Sequence, residues 1–381
     1  MAADLERVEI GIATRADLDA LFAIEQASFR SDLLTRRALR YLLEHGHATR
    51  LIARINGEPI GYAVTLYRRG TSLARLYTLA VLPQYRGRGV AKRLIERCES
   101  EAQRLGCVAM RLEVRADNEA ALQLYRNGGY RFLGTKDDYY QDHEAALCLE
   151  KRLRFPMPVH RLDLTYYPQS TDFTCGPAAV MMALHFLKAG IELSQQTELQ
   201  IWRESTTIFM TSGHGGCGPH GLALAAFRRG CQVEVWVSQK HPLFLETVRS
   251  EHKKQVISLV QKSFEEEIAQ TDIAMHYAVP DIDTLKQRID AGSVPLALIS
   301  TYRLASSKAP HWVVVSGYDD RFIYIHDPDL DADKPFASSS DNTFMPIPAD
   351  SFCSMARFGK SRLSAFLFIN RRTDNKGRTS P

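Results

Sequence analysis

Between Leu76 and Leu105 the sequence LYTLAVLPQYRGRGVAKRLIERCESEAQRL runs from a short apolar stretch, through a glycine-rich turn, into one face of a helix. Leu76–Leu82 is β-like, and Pro83 stops it. After Arg86-Gly87-Arg88-Gly89, the residues Val90, Leu94, Cys98 and Ala102 recur at helical spacing, with Ala91 and Ile95 beside them. Gly106 is a natural C-terminal stop. Strand, glycine turn and helix in that order make an α/β unit. Its turn lets backbone approach an anion, which free N–H groups and the helix dipole then hold. An ordinary tight βα turn would use the same residues, so the neighbouring sequence has to decide.

Cys107–Val114 alternates, with Val108, Met110, Leu112 and Val114 on one face and Arg111 and Glu113 on the other. Asn118 then caps a short helix that carries Tyr125 and ends at Gly128-Gly129. LEVRADNEAALQLYRNGGYRFLG together with LAVLPQYRGRGVAKRLI resembles the GNAT acetyltransferases, and among them the ribosomal-protein N-terminal alanine acetyltransferases, over residues 6–153. The resemblance implies a mixed central sheet flanked by helices, with acetyl-CoA as co-substrate. It places the pyrophosphate on the amides of Arg86, Gly87, Arg88, Gly89, Val90 and Ala91, the pantetheine arm along Leu79, Ala80 and Val81, and Asn118 in the same cofactor set. It makes Glu113 the base that deprotonates an acceptor ammonium and Tyr125 the acid that protonates the departing thiolate. The alternatives are a solvated strand carboxylate for Glu113 and a core phenol for Tyr125. Tyr139 and Tyr140 are candidates to line the acceptor site. The acceptor is a protein N-terminus, a peptide or a small molecule.

A chain of 381 residues is too long for one ordinary core. The seam is expected at Lys151–Pro158, KRLRFPMP, where two prolines and a basic run follow an alternating segment. The expected organisation is a GNAT domain over 1–153, a linker over 154–165, a second α+β domain over 166–370 and a disordered tail over 371–381. Hydrophobic content of 45% and a net charge of +4 fit a globular protein and argue against a nucleic-acid partner. No apolar run is long enough for a membrane span, and the N-terminus carries no signal-peptide pattern. Seven scattered cysteines fit free thiols in a reducing compartment, so the expected location is the cytoplasm.

In the second half, QSTDFTCGPAAVMMAL places Cys175 where a turn becomes an apolar helix. Asp172 or Thr174 can cap it, Pro177 suits its first turn, and Gly190 ends it. The N-terminal end of a helix favours a thiolate, although a cysteine there also packs as a small hydrophobe. HWVVVSGYDDRFIYIHDPD supplies the partners a nucleophile needs. His311 opens one strand, and Asp327 follows the next, so an antiparallel hairpin brings both to one end of a sheet. Val294–Thr301 is a buried-strand run expected beneath the His311 strand. Gln169 is a candidate oxyanion donor.

Gln169, Cys175-Gly-Pro, His311 and Asp327-Pro, in this order, resemble the papain-like bacteriocin-processing peptidases of cysteine peptidase family thirty-nine, over residues 160–370. The resemblance implies a papain-like domain, a helical part plus an antiparallel sheet, with a Cys-His-Asp triad acting on peptides. Those enzymes usually head an ABC exporter, and this sequence shows neither its membrane helices nor its Walker-type ATPase. The double-glycine substrate therefore does not carry over. Two further readings stay open: a silent peptide-binding domain, or a thiol acyltransferase in place of a hydrolase. The stretch SGHGGCGPHGLALAAF holds His214, Cys217 and His220. It reads as a glycine-rich loop opening a helix, with three ligands too few for a structural zinc and no metal expected.

Overall fold

The computed structural model describes residues 8–44, 47–153, 159–206, 215–305, 309–330 and 339–372. The chain divides into two compact units, Met1–Pro156 and Met157–Pro381.

The first unit is a seven-stranded sheet in the order β1-β2-β3-β4-β5-β7-β6. Its strands are β1 (Val8–Ile12), β2 (Ala48–Ile55), β3 (Glu58–Tyr67), β4 (Leu73–Val81), β5 (Ala109–Arg115), β6 (Arg131–Lys136) and β7 (Ala146–Arg152). Its helices are α1 (Leu18–Ser28), α2 (Arg36–Glu44), α3 (Val90–Arg104) and α4 (Glu119–Asn127). Helix α3 buries the face expected of it, with Leu94, Cys98 and Ala102 fully enclosed. Burying a leucine of this kind stabilises by about 1.5–3 kcal/mol.

Strand β5 departs from its alternating pattern. The side chains of Arg111 and Glu113, on the face opposite the apolar one, are 1% and 6% exposed. The reason is long-range pairing. Arg111 lies opposite Glu150 of β7, and its Nε donates to Glu150 Oε2 at 2.8 Å. Both faces of the strand are therefore covered, one by hydrocarbon and one by ion pairs.

The second unit holds strands β8 (His160–Arg161), β9 (Cys231–Val237), β10 (Ala274–His276), β11 (Val294–Ser300), β12 (Pro310–Tyr318), β13 (Phe322–His326), β14 (Met345–Pro348) and β15 (Ala365–Arg371). The sheet order is β10-β9-β15-β11-β12-β13-β14, with β8 on β12. Every pair is antiparallel except β9 with β10. Helices α5 (Cys175–Phe186), α6 (Gln195–Ser205), α7 (Pro219–Arg228), α8 (Glu251–Ile268), α9 (Ile282–Asp290), α10 (Tyr302–Ala305) and α11 (Ala349–Met355) complete the unit.

Helix α5 is apolar nearly all round, and Gly176 through Leu184 are buried, as a helix packed on several sides must be. Glycines set the close approaches. A Cβ at Gly176 would come within 2.9 Å of Leu222 on α7 and 3.2 Å of Trp312 on β12. A Cβ at Gly221 would sit 2.5 Å from the Ser205 carbonyl oxygen on α6.

Two expected boundaries move. His160–Leu164, assigned to a linker, belongs to the sheet: His160 and Arg161 pair with β12, and Leu162 and Leu164 enter the core. Arg371, assigned to the tail, closes β15 opposite Cys231 and donates from Nε to the Leu187 carbonyl at 3.1 Å. Residues 154–158 and 373–381 lie outside the described residues, as does His214.

The Gly221 contact is with backbone, which cannot rotate away. Gly221→Ala is therefore expected to destabilise the second unit by about 1–3 kcal/mol, the range for overpacking. Denaturant titration of the full chain checks this, and an unchanged midpoint would show that α6 and α7 separate without cost.

Candidate active sites

In the first unit β4 and β5 run parallel, but they pair only at Leu73–Ala109, Ala74–Met110 and Arg75–Arg111. Beyond Arg75 they diverge. The register between β3 and β4 slips at Tyr77, which has no opposite residue between the Val64–Thr78 and Thr65–Leu76 pairs, a β-bulge that bends the strand. Leu79, Ala80 and Val81 stay paired to β3 through Ala63, Tyr62 and Gly61. Their other edge has no strand partner among the described residues, so its backbone groups can receive an extended ligand.

The turn after β4 has Gly87 at φ +73° and Gly89 at φ +78°, left-handed values that favour glycine. Gly89 is the residue before α3, whose first-turn amides have no partner inside the helix. The Arg86 guanidinium braces this turn rather than facing outward: it donates to the Val81 carbonyl at 3.1 Å and the Ser28 carbonyl at 3.0 Å. Left-handed glycines, a helix N-terminus and an open strand edge form a continuous track that suits a pyrophosphate followed by an amide-bearing arm. Asn118 spends its Oδ1 as the cap of α4, accepting from Ala121 N at 3.1 Å.

Glu113 is not a free carboxylate. Arg75 Nε donates to its Oε2 at 2.8 Å and Lys136 Nζ to its Oε1 at 2.9 Å. Arg75 Nη2 also reaches the Tyr139 hydroxyl at 3.2 Å, and the Lys136 ammonium lies 5.0 Å from the Tyr139 ring centroid. Arg75 and Lys136 were not legible as site residues, because only the fold brings them to Glu113. Tyr125 is buried, edge-on to Tyr130, and no hydrogen bond from the described residues engages its hydroxyl. Burial pushes its pKa up, and the nearby Cys98 adds to the effect, so the phenol holds its proton.

A second buried carboxyl, Glu25 on α1, accepts from the Tyr62 hydroxyl at 2.5 Å and from Leu34 N at 2.8 Å. Burial raises its pKa despite both hydrogen bonds.

In the second unit Cys175 is the first residue of α5, after Thr174, and is partly exposed. The Thr174 side chain does not cap the helix and instead bonds to the Thr171 carbonyl at 3.1 Å. His311 lies on β12 opposite Ile299 of β11. The antiparallel β12–β13 pair, with Val314 opposite His326, brings the start of one strand and the end of the other together. His311 Nε2 is 2.6 Å from Asp327 Oδ1, both side chains being under a tenth exposed. Cys175 lies near enough to the imidazole to act on its proton affinity. Burial alone would lower the His311 pKa. The nearby Asp327 and Cys175, with the bond to Asp327, outweigh it and hold the value well above that of a free histidine.

Gln169 is tied to the same corner, its N–H donating to the Pro328 carbonyl at 2.9 Å. No hydrogen bond among the described residues consumes its side-chain amide, and its Oε1 is enclosed. Beside it, the buried Glu198 takes Ser170 N at 2.9 Å and the Tyr167 hydroxyl at 3.0 Å. Glu198 is a support that no sequence motif announced.

Cys217 is buried. Burial, reinforced by Cys175, pushes its thiol pKa well up, and its carbonyl accepts from Trp312 Nε1 at 3.0 Å. His220 is buried in the first turn of α7, and burial lowers its pKa. Among the described residues no group of three His, Cys, Asp or Glu side chains is placed to hold a metal ion.

Comparison with known proteins matches residues 164–370 to the Peptidase_C39 like family and residues 18–130 to the Acetyltransferase (GNAT) family. The chain belongs to both families, one through each unit. The N-alpha-acetyltransferase RimI of Mycobacterium tuberculosis is 38% identical over 144 residues, covering 37% of this chain and 89% of that protein. An uncharacterized protein of Mycobacterium leprae is 35% identical over 156 residues, covering 40% of this chain and 42% of its own length. Among solved structures, the ribosomal-protein-S18-alanine N-acetyltransferase of Escherichia coli is 25% identical, covering 39% of this chain and 96% of that one, with a TM-score of 0.36. The first unit is thus that of an acetyltransferase, a family that uses acetyl-CoA. Among the described residues no helix is long and apolar enough to cross a membrane.

A carboxyl with a raised folded pKa binds its proton more tightly folded than unfolded. Stability then falls as pH rises from the ordinary value, about 4.5, through the folded one. Glu25→Gln is expected to remove that fall, so the variant gains on wild type in melting temperature between about pH 4.5 and 7. Parallel melting curves across that range would show that Glu25 ionises without cost.

Proposed function

We propose that this protein carries two activities: acetylation of a peptide or protein amino group with acetyl-CoA, and thiol-dependent cleavage of a peptide bond by Cys175, His311 and Asp327. The observation that carries the second activity is the buried His311–Asp327 pair, 2.6 Å apart, beside a partly exposed cysteine at a helix N-terminus.

In the first unit the amides from Arg86 to Ala91 hold the pyrophosphate, and the open edge of Leu79–Val81 takes the pantetheine arm. Acetyl-CoA supplies the activated acetyl group. The acceptor ammonium reaches Glu113 by taking the place of the Lys136 ammonium on Oε1, one cation replacing another, and passes its proton to the carboxylate. The freed amine forms a bond to the acetyl carbonyl carbon, the C–S bond to coenzyme A breaks, and Tyr125 gives its proton to the departing thiolate. The relative named N-alpha-acetyltransferase supports an α-amino group as the acceptor.

In the second unit Cys175 Sγ forms a bond to the scissile carbonyl carbon while the Gln169 amide donates to the oxygen. The C–N bond breaks as the His311 imidazolium protonates the leaving amine. Water then releases the acyl group, with His311 taking its proton. A partially exposed cysteine at a buried His–Asp pair favours this over a silent binding domain.

Two measurements test the pair of activities. Tyr125→Phe and Glu113→Gln should each lower kcat for peptide N-terminal acetylation by about 100-fold, the scale of one acid or base. Retained kcat in both would remove these residues from the chemistry. Alkylation of Cys175, followed by peptide mass spectrometry, should be fast well below the ~8.5 of a free thiol and should lose that reactivity in His311→Ala. Ordinary thiol behaviour in wild type would reduce the second unit to a binding domain. Product analysis with an added amine nucleophile separates hydrolysis from acyl transfer.

A further inference from the structure

Asp327 orients His311, yet Asp327 lies just beyond the end of its strand. The β13–β14 ladder stops with Ile325 opposite Met345, and Pro328, which has no N–H and a fixed φ, cannot continue it. Something other than the sheet must hold the aspartate in place.

Asn342 supplies that hold. It is 1% exposed and follows the 3-10 turn Ser339–Asp341. Its carbonyl accepts from Asp327 N at 2.8 Å. Its Nδ2 donates to the Asp327 carbonyl at 3.1 Å and to the Asp329 carbonyl at 2.6 Å. The Tyr166 hydroxyl donates to the same Asp327 carbonyl at 2.9 Å. The carboxylate so held takes His311 on Oδ1, which also accepts from Asp329 N at 3.0 Å.

We propose that Asn342 is a positioning residue for the thiol site: its amide clamps the Asp327–Asp329 backbone so that the Asp327 carboxylate meets His311 Nε2, with Tyr166 as a second, weaker brace. The inference rests on the Cys175–His311–Asp327 reading. Asparagine fits the task chemically. One side-chain amide offers two hydrogens to two carbonyls while its own backbone carbonyl closes the ring. Alanine would take the donor from the partly buried Asp329 carbonyl and leave the Asp327 carbonyl with Tyr166 alone. Aspartate would turn carboxylate oxygens toward carbonyl oxygens. Among the described residues Cys175, Asp329, Tyr166, Asp341 and His326 are titratable groups near this corner, and the Nδ1 of His326 accepts from the Phe344 N–H at 3.1 Å.

The test is the rate of Cys175 alkylation by iodoacetamide in the full chain, from about pH 5 to 9, in wild type, H311A, N342A, N342D and Y166F. Two lost hydrogen bonds predict that N342A loses about tenfold of the acid-side rate, with N342D falling further and Y166F losing about threefold. A cooperative denaturant transition and a wild-type near-UV circular dichroism spectrum should persist in all four variants, which excludes unfolding of the second unit. A wild-type pH profile in N342A and Y166F, with reactivity lost in H311A, overturns the proposal and leaves the triad reading standing. A wild-type protein without His311-dependent reactivity brings down both. Should N342A fail to fold, Y166F decides, and a wild-type profile there overturns the proposal.

Discussion

Cys175 meets His311 only because α5 lies flat against both β12 and α7, and it lies flat because residue 176 has no side chain. Any Cβ there would press on Leu222 and on Trp312, the neighbour of His311. The apolar character of α5 drives the burial. A helix with hydrocarbon on every face has nowhere stable to go except between layers. The address of Cys175 is therefore fixed by packing: burying the helix leaves its first residue at the edge of the core, partly exposed. Trp312 extends the arrangement, since its indole holds the Cys217 carbonyl and so pins the 215–218 segment alongside.

The first unit reaches a site by the opposite route, through separation. Arg75 is the last residue of β4 to pair with β5, and the same residue's guanidinium bonds Glu113. The ion cluster of Arg75, Glu113 and Lys136 thus stands at the fork where backbone pairing ends. Charges so enclosed cost several kcal/mol each in desolvation unless paired. Arg75 of β4 and Lys136 of β6 provide that pairing from either side of β5, the lysine reaching across the intervening β7. The bulge at Tyr77 turns the strand away, and two left-handed glycines complete the turn into α3.

Local signals in the sequence were enough for most of this geometry. The α3 face, the cap at Asn118, the apolar α5 and the buried strand Val294–Ser300 all rest on spacing within about ten residues, where period and breakers speak directly. The His311–Asp327 contact was legible too, because one hairpin separates the two residues. What escaped was set by distant chain. The ion pairs over the polar face of β5 escaped, since nothing near Arg111 and Glu113 reveals that Glu150, Arg75 and Lys136 will cover them. Glu198 and Asn342 escaped for the same reason: each supports a segment far away in sequence or across a loop, and carries no motif. His160–Leu164 reads as linker because two strand residues are too few for any period to appear.

The two sites hold a protonated group by opposite physics. Around Tyr125 burial does the work, since a phenolate would lose its hydration and find no cation in exchange. Around His311 burial works against the proton, and only the Asp327 carboxylate and the Cys175 sulfur reverse the balance. A phenol protected by hydrocarbon tolerates small displacements of its surroundings, because desolvation varies slowly with position. An imidazolium sustained by a carboxylate at 2.6 Å does not, because hydrogen-bond strength falls steeply with distance and angle. The difference accounts for the unequal support around the two groups. Tyr125 is bounded by ring and helix packing, whereas the backbone behind Asp327 is bonded at Asp327 N, Asp327 O and Asp329 O before its carboxylate ever reaches the histidine.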